Sequence, residues 1–309
     1  MLRSRLITQK SPHMPSDSPR LRNTLLGLLP GLIILDIPRA SGQRVVYFCR
    51  IDPKEDSIPE SLGWGDFVLK VSEGIDATEV AYLQKEIEIL NSLNSPYYPK
   101  LYWNEIFTET ADDEPLPARL FVTVEERITA RPLSALMQDY SSPEKARRLI
   151  AQIACGLQLL WLHPQRIIHR DLKPDNILIR DNGEIAIIDL GIIREEGAVG
   201  VTGSSFPHGP CTPLYASPEQ TRNERKNITF KSDFFSLGVL AYELVAGEHP
   251  FAARTVGGVF EKVQNYNPPT LAEKYGCDEG FSEIVRKMME KEPYKRYRTV
   301  QQLLQALQS

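Results

Sequence analysis

Ile167-Ile168-His169-Arg170-Asp171-Leu172-Lys173-Pro174-Asp175-Asn176 is the stretch on which the reading of this chain turns. It places two acids, three bases and an amide between an apolar helical segment and a short apolar strand. A carboxylate at Asp171, a cation two residues later at Lys173 and an amide oxygen at Asn176 together suit a hydroxyl nucleophile, a phosphate and a metal ion. A solvated charged turn would account for any one of these residues, but not for the whole string.

The residues around it set the scale. With 309 residues, 42% of them hydrophobic and 25% charged, the chain has the composition of a soluble globular protein long enough for a two-lobed unit with a sizeable core. A net charge of -4 gives no reason to expect nucleic acid as a partner. Cys49, Cys155, Cys211 and Cys277 form no C-x-x-C pair, which argues against a zinc site and a disulfide framework and fits reduced thiols in a cytosol. The apolar run over 25–35 is broken by Pro30 and is too short to span a bilayer, so no membrane anchor is expected. Residues 1 to about 24 carry Arg3, Arg5, Lys10, Arg20 and Arg22 against Asp17 alone and read as a flexible basic extension. An organelle transit peptide has a similar make-up, but Pro12, Pro15 and Pro19 spoil the amphipathic helix it needs.

Towards the N-terminus, residues 31–37 and 44–49 predict a β-hairpin joined by Pro38-Arg39-Ala40-Ser41-Gly42-Gln43. Asp66-Phe67-Val68-Leu69-Lys70-Val71 alternates, so Phe67, Leu69 and Val71 share one face of a strand while Val68 and Lys70 share the other. Val80, Leu83, Ile87 and Leu90 recur at helical spacing, with Glu86 bordering that stripe. Residues 120–124 read as a further strand. Ser142-Pro143-Glu144 is an N-cap followed by proline at the first helical position, and the helix runs on through Trp161. Beyond the opening stretch, strands over 177–179 and 184–188 flank the turn Asp181-Asn182-Gly183 and lead into Asp189-Leu190-Gly191.

Taken in order, these segments resemble the eukaryotic-type protein kinase family over roughly residues 32–308. The opening stretch matches the family's catalytic loop, Asp189-Leu190-Gly191 its D-F-G triplet with leucine for phenylalanine, and Ser217-Pro218-Glu219 its A-P-E. The resemblance implies an α+β, bilobal fold. A flexible extension (1–24) would precede a kinase domain (25–309), with a small β-rich lobe over about 32–124, a hinge at 125–127, a helical lobe over 128–309, and ATP between the lobes.

The same resemblance implies the roles. Asp171 would orient the substrate hydroxyl and take its proton, with Lys173 beside it, while Asn176 and Asp189 would hold Mg2+. Lys70, fixed by Glu86, would position the phosphates. Val46, Val68, Leu178, Glu125 and Arg127 would complete the ATP site, the hinge contributing backbone. Asp233 would hold the catalytic loop from beneath, and Arg296 would pair with Glu219. Lys173 together with Thr212 resembles the serine/threonine branch, so a protein substrate with Ser or Thr hydroxyls is implied. Thr202, Ser204 and Ser205 would be candidate phosphate acceptors in the Gly-, Ser- and Thr-rich segment 195–210.

One departure stands out. Placing Val46 at the valine of the family's G-x-G-x-x-G-x-V loop puts Arg39, Ser41 and Arg44 where glycines are usual, which points to altered phosphate binding. It is also the argument for a pseudokinase, a binding or scaffold protein on the same fold. A small-molecule kinase is disfavoured by Ser217-Pro218-Glu219 and Asp233.

Overall fold

The computed structural model describes residues 17–36, 44–52, 54, 64–74, 77–190, 194–195 and 212–309, which fall into two units that part between Thr129 and Ala130. The unit before that point is built on one sheet. Helix α1 (Pro19–Leu28) precedes strands β1 (Leu32–Asp36), β2 (Val45–Ile51) and β3 (Phe67–Glu73), helix α2 (Ala77–Ser92), and strands β4 (Leu101–Glu109) and β5 (Pro115–Glu126). The strands pair antiparallel in the order β1-β2-β3-β5-β4.

Period-2 alternation decides which face each side chain takes. Val45, Tyr47 and Cys49 of β2, Phe67, Leu69 and Val71 of β3, and Leu120, Val122 and Val124 of β5 point to one face, where they pack with Leu21 and Leu25 of α1. Val46, Phe48, Val68, Lys70, Thr123 and Glu125 take the opposite face. The register places Val46 opposite Lys70, Phe48 opposite Val68, Lys70 opposite Thr123 and Val68 opposite Glu125. Helix α2 lays Val80, Leu83 and Ile87 against Phe121 and Ile106.

Helix α1 corrects the expected boundary of the flexible extension. The expected extension runs to about residue 24, whereas the helix begins at Pro19 and buries Leu21 and Leu25 in the sheet core. Pro19 does not break this helix. It sits in the first turn, where its missing N–H has no intrahelical partner to lose, behind Ser18, whose hydroxyl accepts from the Leu21 amide at 3.1 Å. Asp17 then ties the helix start to the sheet, pairing with Arg22 and accepting from the Tyr47 hydroxyl at 2.8 Å. Residues 1–16 lie outside the described part.

The second unit is mainly helical. In chain order it contains β6 (Arg131–Pro132), α3 (Pro143–Trp161), β7 (Ile167–Ile168), β8 (Ile177–Ile179), β9 (Ile185–Ile187), β10 (Arg194–Glu195), α4 (Pro218–Thr221), α5 (Phe230–Ala246), α6 (Val256–Asn265), α7 (Leu271–Tyr275), α8 (Glu279–Met288) and α9 (Val300–Gln308). Strands β6, β8 and β9 form one small sheet, and β7 pairs with β10. The predicted cap of α3 is present, with the Ser142 hydroxyl accepting from the Lys145 amide and Pro143 in the first turn.

Helix α5 is apolar on nearly every side and is buried along most of its length, so it serves as the post around which α3, α7 and α8 pack. Gly238 lets α5 come close to the end of α8. A Cβ there would lie 2.7 Å from Met289 Cγ and 2.9 Å from Met288 Cβ. Gly247, at φ 69°, ends the helix in the left-handed conformation that glycine adopts without strain. Among the described residues, no helix is long and apolar enough to cross a membrane.

One buried cation in this core is a net cost. Lys291 Nζ has no hydrogen-bond partner among the described residues and lies over the rings of Phe251, at 4.3 Å, and Phe235, at 5.7 Å. Burial, helped by the neighbouring Arg296 charge, pushes its pKa down to about 8. The aromatic faces offset only part of the lost hydration. Lys291→Met is therefore expected to stabilise the protein by about 1 kcal/mol at pH 7. Below pH 8 the lysine is charged in both the folded and unfolded states and the penalty is complete. As pH rises from 8 towards the ordinary lysine value, the folded state sheds its proton first and wild type recovers. Denaturant midpoints at pH 7 and pH 10 should show the variant's advantage shrinking, and an advantage that grows with pH contradicts this account.

Candidate active site

The opening stretch of the sequence folds into a hydrogen-bonded cluster on the helical unit. Asp171 is its centre. One carboxylate oxygen accepts from Lys173 Nζ at 2.7 Å and from Asn176 Nδ2 at 3.3 Å. The other accepts from the Thr212 hydroxyl at 2.5 Å and the Thr212 amide at 3.1 Å. Asn176 Nδ2 also donates to the Asp171 carbonyl at 2.9 Å, and Lys173 Nζ reaches the Thr212 hydroxyl at 3.3 Å. The predicted residues Asp171, Lys173 and Asn176 thus meet in one place, and Thr212 closes the cluster from 41 residues away.

The loop that carries them is held from below. Asp233, at the buried start of α5, accepts from the backbone amides of His169 and Arg170, each at 2.9 Å, and from Trp161 Nε1 at 2.8 Å. Burial pushes the Asp233 carboxyl above the usual carboxylate range, against the pull of these donors. Burial likewise lowers the pKa of His169, which keeps it neutral. His169 is a fully buried strut whose Nδ1 accepts from the Asp171 amide at 3.3 Å. Arg170 takes a left-handed backbone, φ 69°, and its carbonyl accepts from Gln220 Nε2 at 2.9 Å.

Asp189 follows strand β9 and also takes a left-handed backbone, φ 66°, an uncommon conformation for a residue other than glycine. The amide of its neighbour Ile188 donates to the Asn176 carbonyl at 2.9 Å, which fixes the two chain segments that carry the expected metal-binding residues. Among the described residues, no group of three or more His, Cys, Asp or Glu is placed to hold a metal. The side chains of Asn176 and Asp189 offer an amide oxygen and a carboxylate, few and hard donors of the kind that magnesium takes when it keeps several waters. Leu178 sits in β8 opposite Ala186, half-buried between Ile177 and Ile179.

On the sheet unit, Val46, Val68, Lys70 and Glu125 share one face, as the register requires. Arg127 stacks over Phe48 on that face, 4.7 Å from the ring centroid, and reaches Asp66 at 3.2 Å. The pairing expected between Lys70 and Glu86 is not the one found. Lys70 Nζ lies 2.8 Å from Glu125 Oε2, a diagonal cross-strand contact, and Glu86 is paired with Arg44. The reason is positional. Arg44 precedes Val46 by two residues and so lies on the same face as Lys70, and its longer, forked side chain takes the helix carboxylate. Arg39 and Ser41 of the predicted phosphate-covering loop, and Thr202, Ser204 and Ser205 of the segment 195–210, lie outside the described residues.

Sequence reading also passed over Trp161 and Gln220. A tryptophan in the apolar stripe of α3 gave no sign that its N–H would find a carboxylate 72 residues on. Gln220 had a local signal, because Ser217-Pro218-Glu219-Gln220 has capping-box spacing, and Gln220 Oε1 accepts from the Ser217 amide at 3.0 Å.

The model of the family described as Protein kinase domain matches residues 67–307. Rho-associated protein kinase 1 of Homo sapiens is 30% identical over 202 residues, which cover 64% of this chain and 14% of that protein. Serine/threonine-protein kinase PknB of Mycobacterium tuberculosis is 29% identical over 225 residues, 67% of this chain and 35% of that protein. The chain therefore spans a minor part of the length of these curated relatives.

Proposed function

The chain belongs to the protein kinase domain family, and from that premise we propose that it is a serine/threonine protein kinase that transfers the γ-phosphate of ATP to protein hydroxyls. The observation that carries this reading is the Asp171 cluster. Its carboxylate is ordered by Lys173, Asn176 and Thr212 while remaining partly accessible. Such a site works by positioning and charge more than by covalent chemistry.

Asp171 accepts the proton of the substrate hydroxyl as its oxygen bonds to the γ-phosphorus. The bond from that phosphorus to the bridging oxygen breaks, and ADP leaves with the electron pair. Lys173 balances charge beside the transferred group. Asn176 and Asp189 would hold magnesium through their side-chain oxygens, and the ion would neutralise phosphate charge. On the sheet unit, Lys70 is the cation for the phosphates. Thr212, bonded to both Asp171 and Lys173, supports the serine/threonine assignment.

A second reading, a nucleotide-binding or scaffold protein without transfer, is favoured by one observation: the Lys70 ammonium already has a carboxylate partner in Glu125. Incubation of purified protein with labelled ATP, magnesium and a generic protein substrate decides between them. The expected result is label on serine or threonine that falls by about a hundredfold or more in Asp189→Asn. Nucleotide binding with no label in either protein supports the scaffold.

A further inference from the structure

The ion pair between Arg44, immediately before β2, and Glu86 ties that end of the strand to α2, and both members are nearly removed from solvent, at 7% and 4% exposure. The second carboxylate oxygen, Glu86 Oε1, is buried and has no hydrogen-bond partner among the described residues. A buried carboxylate with one oxygen unbonded depends heavily on the cation that meets the other. Lys70 is the nearest alternative by register, being opposite Val46, and it is engaged instead with Glu125, whose other oxygen accepts from the Thr123 hydroxyl at 3.3 Å. Two carboxylates and two cations on the same side of one sheet are thus divided into separate pairs. The helix carboxylate goes to the arginine that precedes β2, and the β3 lysine goes to a β5 carboxylate.

We propose that Arg44, rather than Lys70, is the positioning residue that fixes helix α2 through Glu86, so that Lys70 can exchange Glu125 for a nucleotide phosphate without loosening the helix. The consequence for the reaction rests on the kinase reading above. The anchoring itself does not. Arginine suits the task because its guanidinium stays charged on burial and presents several donors in a fixed fork, whereas a lysine bridging phosphate and helix couples the two.

Hydrogen exchange of the α2 amides, followed on the full chain by mass spectrometry, tests the anchor without turnover. Arg44→Met should speed exchange over residues 83–92 by about tenfold or more, as local opening becomes easier, while Lys70→Met should leave it within about twofold. Unchanged exchange in Arg44→Met, or equal acceleration in Lys70→Met, overturns the proposal.

Should Arg44→Met unfold the whole sheet unit, Arg44→Met with Glu86→Met removes both charges and should restore folding. Failure of that double variant to fold also overturns the proposal. The charge-swapped protein, Arg44→Glu with Glu86→Arg, should regain α2 protection, a rescue that an arginine acting only by its bulk does not give. An absence of phosphoryl transfer in wild type would count against the kinase reading alone, because the exchange arms stand without it.

Discussion

Replacing Asp171 by alanine is expected to lower kcat by about a hundredfold or more with the melting temperature little changed, the usual scale for a lost, positioned proton acceptor. The fold should survive because the loop is held through backbone amides that donate to Asp233, not through the Asp171 side chain. What is lost is the group that brings Lys173, Asn176 and Thr212 to one point. Asp171→Asn sharpens the test. It keeps the size of the side chain but not the charge, so an equally deep loss assigns the effect to the carboxylate, and recovery to within a few-fold of wild type would reassign Asp171 to a structural role. Initial-rate kinetics at saturating ATP, read beside a thermal melt, separate these outcomes.

The largest effect on stability is expected at Arg296. Its side chain and that of Glu219 are 0% and 1% exposed, and they meet through two bonds of 2.7 and 2.9 Å. Every guanidinium N–H has a place: the remaining three go to the carbonyls of Glu290, Lys231 and Lys291 at 2.8, 2.7 and 3.1 Å. Ser232 Oγ adds a bond to Glu219 at 2.7 Å. Arg296→Met leaves Glu219 as a buried charge without its partner and should cost about 3–5 kcal/mol, whereas replacing both residues by methionine should recover much of that.

The pH dependence has a definite sign. Burial is the largest single influence on Glu219 and raises its pKa, but the charge and bonds of Arg296 together with Ser232 bring it below the ordinary value. The pair therefore stabilises the protein fully above the unfolded glutamate pKa, and its contribution is lost as pH falls through the lower, folded value. Denaturant midpoints for wild type and Glu219→Gln should converge as pH drops from 7 to 3. A gap that stays constant would mean that Glu219 is not ionised in the folded protein.

Much of this molecule was legible before the structure. The alternation of Phe67, Leu69 and Val71 with Val68 and Lys70 set the two faces of a strand, because the strand period of 2 leaves no other arrangement. Ser142-Pro143 marked the start of α3, since capping depends on groups within one turn of chain. The string from Ile167 to Asn176 was itself enough to bring Asp171, Lys173 and Asn176 together, for they lie within six residues. The pairing of Glu219 with Arg296 was also expected, but only by resemblance to a family.

What tertiary structure alone decided is which ions pair. Lys70, Glu86, Glu125 and Arg44 are spread over a helix, two strands and the residue before a third, and nothing local to any of them distinguishes the pair of Lys70 with Glu86 from the pairs of Lys70 with Glu125 and Arg44 with Glu86. Charge attraction has no sequence period. It depends on distances fixed by strand register and on the reach of each side chain, and both are set only when the sheet has formed. The same holds for α1, whose Leu21 and Leu25 became core because a sheet face lay open to them, and for Trp161, whose N–H found Asp233 once α3 and α5 had packed.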